Sequence, residues 1–231
     1  MENRDALKLL QLEMSGCSRC LESGYAITPG AIFSGNCEAK VMVIGQAPGV
    51  TEVEARRPFN ANSGRRLFNW LGSAGWDEET FRQRQYMTAV TKCFPGKNKS
   101  GRGDRLPSKV EQKLCRDYLD REIRIIGPKI IIPVGGLAIK IFYPSNLKLD
   151  EIIGTAIVHP GSQFKEANRA VDEAGIIVNS IDGELAPTGM WIVPLPHPSG
   201  ASAWPNKPQN LALIEKAISL LGDLRQMYRL D

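Results

Sequence analysis

Four times along its 231 residues this chain places a short, unbroken apolar run directly against a glycine- or proline-rich loop. The runs are KVMVI at 40–44, YMTAVT at 86–91, IIIPVG at 130–135 and WIVPLP at 191–196. Runs of four to eight apolar residues without polar alternation belong to strands buried on both faces, and such strands need helices on both sides. The intervening segments supply them. Leu7, Leu10 and Met14 recur at helical spacing in 3–14, as do Leu67, Phe68, Trp70 and Leu71 in 64–74. Val110, Leu114, Tyr118, Leu119 and Ile123 do so in 109–126, after a capping Ser108. A short helix is expected at about 137–142, and Leu211, Ile214, Ile218 and Leu221 mark a closing one at 208–228. The predicted fold is α/β: a three-layer α/β/α sandwich with a central, mostly parallel four-stranded sheet. It is expected to be one domain over 1–231, with a polar loop insertion at about 159–188 around a short strand at 176–179. Ordinary composition, 42% hydrophobic and 23% charged, excludes wholesale disorder. No apolar run approaches the roughly 20 residues that span a bilayer. The N-terminal MENRDALKLL mixes charge signs and lacks a signal-peptide core, so a cytoplasmic protein is expected.

In parallel sheets the loops leaving the carboxyl ends of the strands gather on one edge and build the site. Here these are the loops at 45–62, 92–106, 135–136 and 197–206, which place Gln46, Glu52, Phe59, a basic loop and His197 near one another. Gly45-Gln46-Ala47-Pro48-Gly49 allows close backbone approach to a ligand, although a plain strand-to-helix turn also explains it. His197-Pro198-Ser199 offers a donor to developing negative charge and groups for a phosphate. The other histidine, His159, reads as structural. Phe59 can stack on a base, or simply fill the core. Arg56, Arg57, Arg65 and Arg66 flank it, and Lys92, Lys97, Lys99, Arg102 and Arg105 lie in or beside 96–105. The net charge of +4 permits a nucleic-acid partner without arguing for one, so it is the local clustering that points to it.

Five cysteines in a reducing compartment point away from disulfides. Cys17-x2-Cys20 has metal-ligand spacing, and Cys93 and Cys115 make four thiolates, a set that suits zinc or a [4Fe–4S] cluster. Buried free cysteines are also common as small apolar residues, and Cys37 reads that way.

In order and spacing these motifs resemble the uracil-DNA glycosylase superfamily, most closely its iron–sulfur family, family four. The resemblance runs over about 10–145 and 190–225. It rests on Gly45 to Gly49 with Glu52, Glu54 and Pro58-Phe59, then Tyr86-Met87-Thr88-Ala89-Val90-Thr91-Lys92-Cys93, then Cys115 to Gly135, and finally His197-Pro198-Ser199. It implies a monomeric prokaryotic, nucleoid-associated DNA-repair glycosylase that extrudes a deaminated base, uracil first among them, and hydrolyses its N-glycosidic bond. It further implies a structural [4Fe–4S] cluster on Cys17, Cys20, Cys93 and Cys115, and His197, Glu52 and Gln46 as the catalytic set. Gly45, Ala47, Phe59, Ala89 and Ser199 become the substrate-binding set. Glu52 is the candidate to orient water, Ser199 to hold phosphate, and Trp204 to wedge into the duplex. Three departures stand out. Ala89 replaces the family's base-reading Asn, Gln46 replaces its Glu, and 21 residues separate Cys93 from Cys115, more than is usual. The loss of the amide opens an alternative, a glycosylase-like protein that binds damaged or single-stranded DNA with altered specificity (hypoxanthine or xanthine) or little turnover. A zinc-bound α/β protein of unrelated function is the third reading.

Overall fold

The computed structural model describes residues 3–101, 103–159, 175–181, 189–199 and 203–230. Its elements run α1 (Asn3–Ser15), α2 (Arg19–Glu22), β1 (Val41–Gly45), α3 (Val50–Ala55), α4 (Ala61–Ser73), α5 (Glu78–Arg84) and β2 (Tyr86–Ala89). There follow α6 (Lys109–Ile126), β3 (Ile130–Pro133), α7 (Gly136–Ile139), α8 (Leu149–Ile152), β4 (Ala156–His159), β5 (Ile176–Val178), β6 (Met190–Ile192) and α9 (Pro208–Tyr228). The sheet order is β2-β1-β3-β6-β4-β5. The four apolar runs become the parallel block β2-β1-β3-β6, every residue of which is buried. Helices flank the sheet in two packed groups, α1 and α2 with α6, and α4 with α5 and α9.

The sheet has six strands where four were expected, because β4 and β5 extend it as an antiparallel pair beyond β6. β5 falls within the expected 176–179 strand and forms the outer edge, with Ile176 and Ile177 exposed. The four residues of β4 carry too short a pattern to separate from a buried loop. The remainder of the expected insertion, 160–174 and 182–188, lies outside the described residues. Because β4 runs antiparallel to β6 and His159 pairs with Met190 at the start of that strand, His159 sits at the edge opposite the strand ends that build the site. Among the described residues no helix is long and apolar enough to cross a membrane.

Strand register aligns the carboxyl ends. Gly45 pairs with Ala89, Ile44 with Pro133, and Val134 bridges Leu195, so the loops that follow all leave one edge. The helix bearing the last cysteine is started by Ser108, whose hydroxyl accepts from the Glu111 N–H at 3.2 Å while Glu111 accepts from the Ser108 N–H at 2.7 Å. It ends at Gly127 in the left-handed region (φ 56°). Its buried face holds Cys115, Tyr118, Leu119, Ile123, Ile126 and two buried carboxylates, Glu111 near its start and Glu122.

Glu122 is answered by Lys92, predicted to serve the basic loop but fully buried instead. Its Nζ lies 2.7 Å from Glu122 Oε2, 2.9 Å from Thr88 Oγ1 and 2.6 Å from the Ala89 carbonyl oxygen. Tyr86 donates its hydroxyl to Glu122 Oε1 at 2.9 Å. A sequence places a lysine beside a loop without saying that its ammonium turns inward. That turn is tolerated only because a buried partner and two further acceptors receive it. Glu122→Ala is expected to cost about 3–5 kcal/mol by stranding the ammonium, whereas Lys92→Met with Glu122→Leu recovers most of that loss. Denaturant midpoints at constant slope check this, and a single-variant loss below about 1 kcal/mol would contradict it.

Candidate active site

The aligned strand ends enclose a cavity. Gly45, Gln46, Ala47, Glu52, Phe59, Ala89 and His197 line it together with Ile32, Ser63, Thr88 and Val134. Seven of the candidate residues thus meet in one place. Ile32, Ser63 and Val134 carry no functional signature in sequence, since each is an ordinary small or apolar side chain that topology alone brings to this edge.

Two glycines make the approach possible. A Cβ on Gly45 would lie 3.0 Å from Phe59 Cζ, so the aromatic ring rests over bare backbone. Gly135 has φ +87°, and a Cβ there would come within 2.9 Å of His197 Cδ2 and 3.0 Å of Gln46 Cδ. The loop leaving β3 therefore lets the two strand-end side chains close on each other.

The side chains around the cavity are largely committed to holding its shape. Gln46 accepts from the Leu137 N–H at 3.2 Å, turning its amide toward α7, while its backbone carbonyl accepts from the Thr91 N–H at 3.3 Å. Glu52 accepts from the Gly49 N–H at 3.0 Å and from the Asn60 N–H at 3.3 Å, so one carboxylate ties both ends of the loop that carries Pro58 and Phe59. Glu54 is exposed and takes no part.

His197 has a defined protonation state. Its Nδ1 accepts the Ser199 N–H at 3.2 Å and lies 2.9 Å from Ser199 Oγ, so the ring proton belongs on Nε2. Burial holds the imidazole pKa below its ordinary 6.5 and favours the neutral ring. Ser199, expected to grip a phosphate, thus has its amide and hydroxyl turned to the histidine. The result is a neutral imidazole at a cavity of mixed polar and apolar lining, and an N–H donor of this kind strengthens its hydrogen bond as charge grows on an acceptor.

Cys17, Cys20, Cys93 and Cys115 converge on a second cavity, with Met14, Ile27, Tyr118 and Glu111 in its walls. Burial, and then proximity to Cys115, pushes the Cys93 thiol up to about 12. Burial first and the neighbouring sulfurs second push Cys20 up to about 11. The Lys92 N–H donates to Cys115 Sγ at 3.4 Å. Among the described residues no three Cys, His, Asp or Glu side chains gather tightly enough on one point to hold a single ion. Cys37 packs at the core margin and does not line this cavity.

The basic residues divide. Arg105 forms a two-pronged pair with Glu111 (2.8 and 2.7 Å), Lys97 pairs with Asp104 at 2.7 Å, and Arg57 with Glu78 at 3.2 Å. Arg66 donates to Asn206 at 2.8 Å and Arg65 donates to Asn62. Lys99 and Arg56 are exposed. Arg102 and 200–202 lie outside the described residues. Trp204 is half-buried against the core, in a short 3-10 turn whose carbonyl accepts from Asn210 at 2.9 Å.

An aromatic ring over a glycine and a neutral imidazole thus meet in a pocket at the strand ends of an α/β fold. The chain belongs to the Uracil DNA glycosylase superfamily, whose family profile matches residues 32–222. It is similar to the Type-4 uracil-DNA glycosylases of Sulfurisphaera tokodaii (32% identical over 131 residues, 57% of this chain) and Pyrobaculum aerophilum (33% over 138 residues, 59%). A similar likeness holds to that of Archaeoglobus fulgidus, 32% over 135 residues. The aligned regions span 55%, 63% and 60% of those relatives. An NMR titration of the two imidazoles is expected to place the His197 midpoint below 6.5, and a midpoint at or above that value would contradict the buried neutral ring.

Proposed function

We propose that this protein is a monofunctional DNA-base glycosylase that draws uracil out of DNA, hydrolyses its N-glycosidic bond and leaves an abasic site. The single observation that carries this reading is the neutral His197 donor facing the cavity that Phe59 covers, in a chain whose relatives bear the name Type-4 uracil-DNA glycosylase. One unbroken core from Leu7 to Leu224 supports treating the chain as one domain.

Breaking the bond sends its electron pair to the base, leaving positive charge on the sugar. His197 Nε2–H donates to a base carbonyl as that oxygen gains charge, and the backbone around Gln46 lines the same cavity. Phe59 stacks on the extruded ring. Glu52 lines the cavity; its charge offsets the sugar cation and its remaining lone pairs orient the water, which gives its hydroxyl to the sugar while the proton it sheds neutralises the departing base anion. Phosphate contacts fall to exposed cations such as Arg56 and Lys99.

The four cysteines fit a [4Fe–4S] cluster, because they present only soft thiol donors around one shared cavity. When bound, the group would supply a structural cross-link, held by Cys17, Cys20, Cys93 and Cys115 as thiolates. Cys93 and Cys115 would anchor the end of β2 and α6, and Cys17 and Cys20 the segment after α1.

A second reading rests on Ala89. It lies at the cavity wall where a base edge would be read, it offers only a methyl group, and the neighbouring Thr88 hydroxyl is engaged with Glu122. A pocket without a two-pronged amide discriminates weakly, so hypoxanthine or xanthine competes with uracil.

Purified protein incubated with a panel of single-lesion oligonucleotides tests both readings. Alkali-labile sites at uracil are expected, and no release of any deaminated base from protein carrying its full iron would overturn the proposal. His197→Ala is expected to lower the single-turnover rate about 10²–10³-fold while DNA affinity holds. The wild-type rate should stay level as pH rises above 6.5 and fall only on acidification through the lowered imidazole pKa. Ala89→Asn is expected to sharpen preference for uracil. Broad visible absorption and four irons per chain, both lost in Cys93→Ser, are expected from the cluster; stoichiometric zinc would contradict it.

A further inference from the structure

Phe59 occupies an uncommon backbone state. Its φ is +51°, in the left-handed region that a bulky L-residue avoids, and Ala61 two positions on has φ +52°. Such geometry persists only where surrounding contacts determine it. Two such contacts come from Arg82 on α5. Its Nη1 donates to the Pro58 carbonyl oxygen at 2.9 Å and its Nη2 to the Phe59 carbonyl oxygen at 2.8 Å. The guanidinium is itself held, with Nε donating to Glu78 at 2.8 Å and its carbon 4.1 Å from the centroid of the Phe68 ring. From the other side Glu52 takes the Asn60 N–H, and Gly64 leaves the space that the Phe59 carbonyl fills, since a Cβ there would fall 2.0 Å from that oxygen. Arg82 does not line the cavity.

We propose that Arg82 is the positioning residue for base stacking: its planar fork fixes two successive carbonyls and so holds the Phe59 ring over Gly45 before any base arrives. The inference rests on reading Phe59 as the stacking platform. A lysine cannot replace the fork, because an ammonium lacks the planar pair of donors that meets both carbonyls at once.

Single-turnover uracil excision and oligonucleotide affinity, measured on the iron-loaded full chain, test it. Arg82→Ala is expected to slow excision about tenfold to a hundredfold with affinity little changed. Arg82→Lys, which keeps the charge beside Glu78 and guards against simple unfolding, stays slow. Added guanidinium restores rate to Arg82→Ala and not to Arg82→Lys. The double variant Phe59→Ala/Arg82→Ala is expected to be no slower than Phe59→Ala alone. If the two losses multiply, or if Arg82→Lys has the wild-type rate, Arg82 does not act through Phe59 and the inference is overturned. If Phe59→Ala leaves the rate unchanged, it is the stacking reading that fails, and the role of Arg82 falls with it.

Discussion

The buried Lys92–Glu122 pair is the junction on which the two cavities depend. Lys92 Nζ reaches back to Thr88 and the Ala89 carbonyl at the wall of the strand-end pocket. Its own backbone N–H turns to Cys115, its carbonyl accepts from the Ile32 N–H, and the next residue is Cys93. Glu122 fastens the same network to the middle of α6 through Tyr86 and Thr88. A buried charge pair adds little net stability over an apolar equivalent, but once present it allows few alternative arrangements, because any slip leaves a charge without a partner. Here that intolerance fixes the end of β2 relative to α6, and with it the separation between the thiols and the pocket.

The pocket is built by spending polar groups on shape. Gln46 holds α7, Glu52 holds the loop bearing Phe59, and Ser199 holds the ring of His197. What lines the cavity is the His197 donor, the Phe59 ring, the tethered Glu52 and small or apolar residues such as Ala47, Ala89 and Val134. Such a surface reorganises little when charge develops within it, which is the condition under which a single neutral hydrogen bond contributes most. The thiol cavity works in the opposite sense. Its sulfurs are pushed toward the protonated state by burial and by one another, so the site gains most from a positively charged group that reverses both effects.

Much of the fold was legible because buried parallel strands leave an unambiguous trace. VMVIG in β1 and IIIP in β3 cannot be half-exposed, and the loops after them had to share an edge. Cys17, Cys20, Cys93 and Cys115, and the spacing of Gly45, Phe59 and His197, were visible as residue types capable of chemistry. The antiparallel β4–β5 extension was not fully legible, since β4 offers four apolar residues and no alternation. The fate of the charged residues was hidden too: Lys92, Lys97 and Arg105 read as a basic loop, yet all three are paired with carboxylates and Lys92 is buried. A charge in a sequence has no address until its partner is brought near.

By itself, then, the sequence determined the class of fold, the edge at which the site forms and the inventory of groups available there. Only the tertiary structure decided how those groups are used. It set the tautomer of His197 through the Ser199 amide, the commitment of Glu52 to two backbone N–H groups, and the left-handed turn at Phe59 held by Arg82 from α5. The physical reason is the range of the interactions. Hydrophobic periodicity is local and can be read along the chain, whereas a hydrogen bond between Arg82 and Phe59, or an ion pair between Lys92 and Glu122, exists only after the sheet has brought its strand ends and helices together.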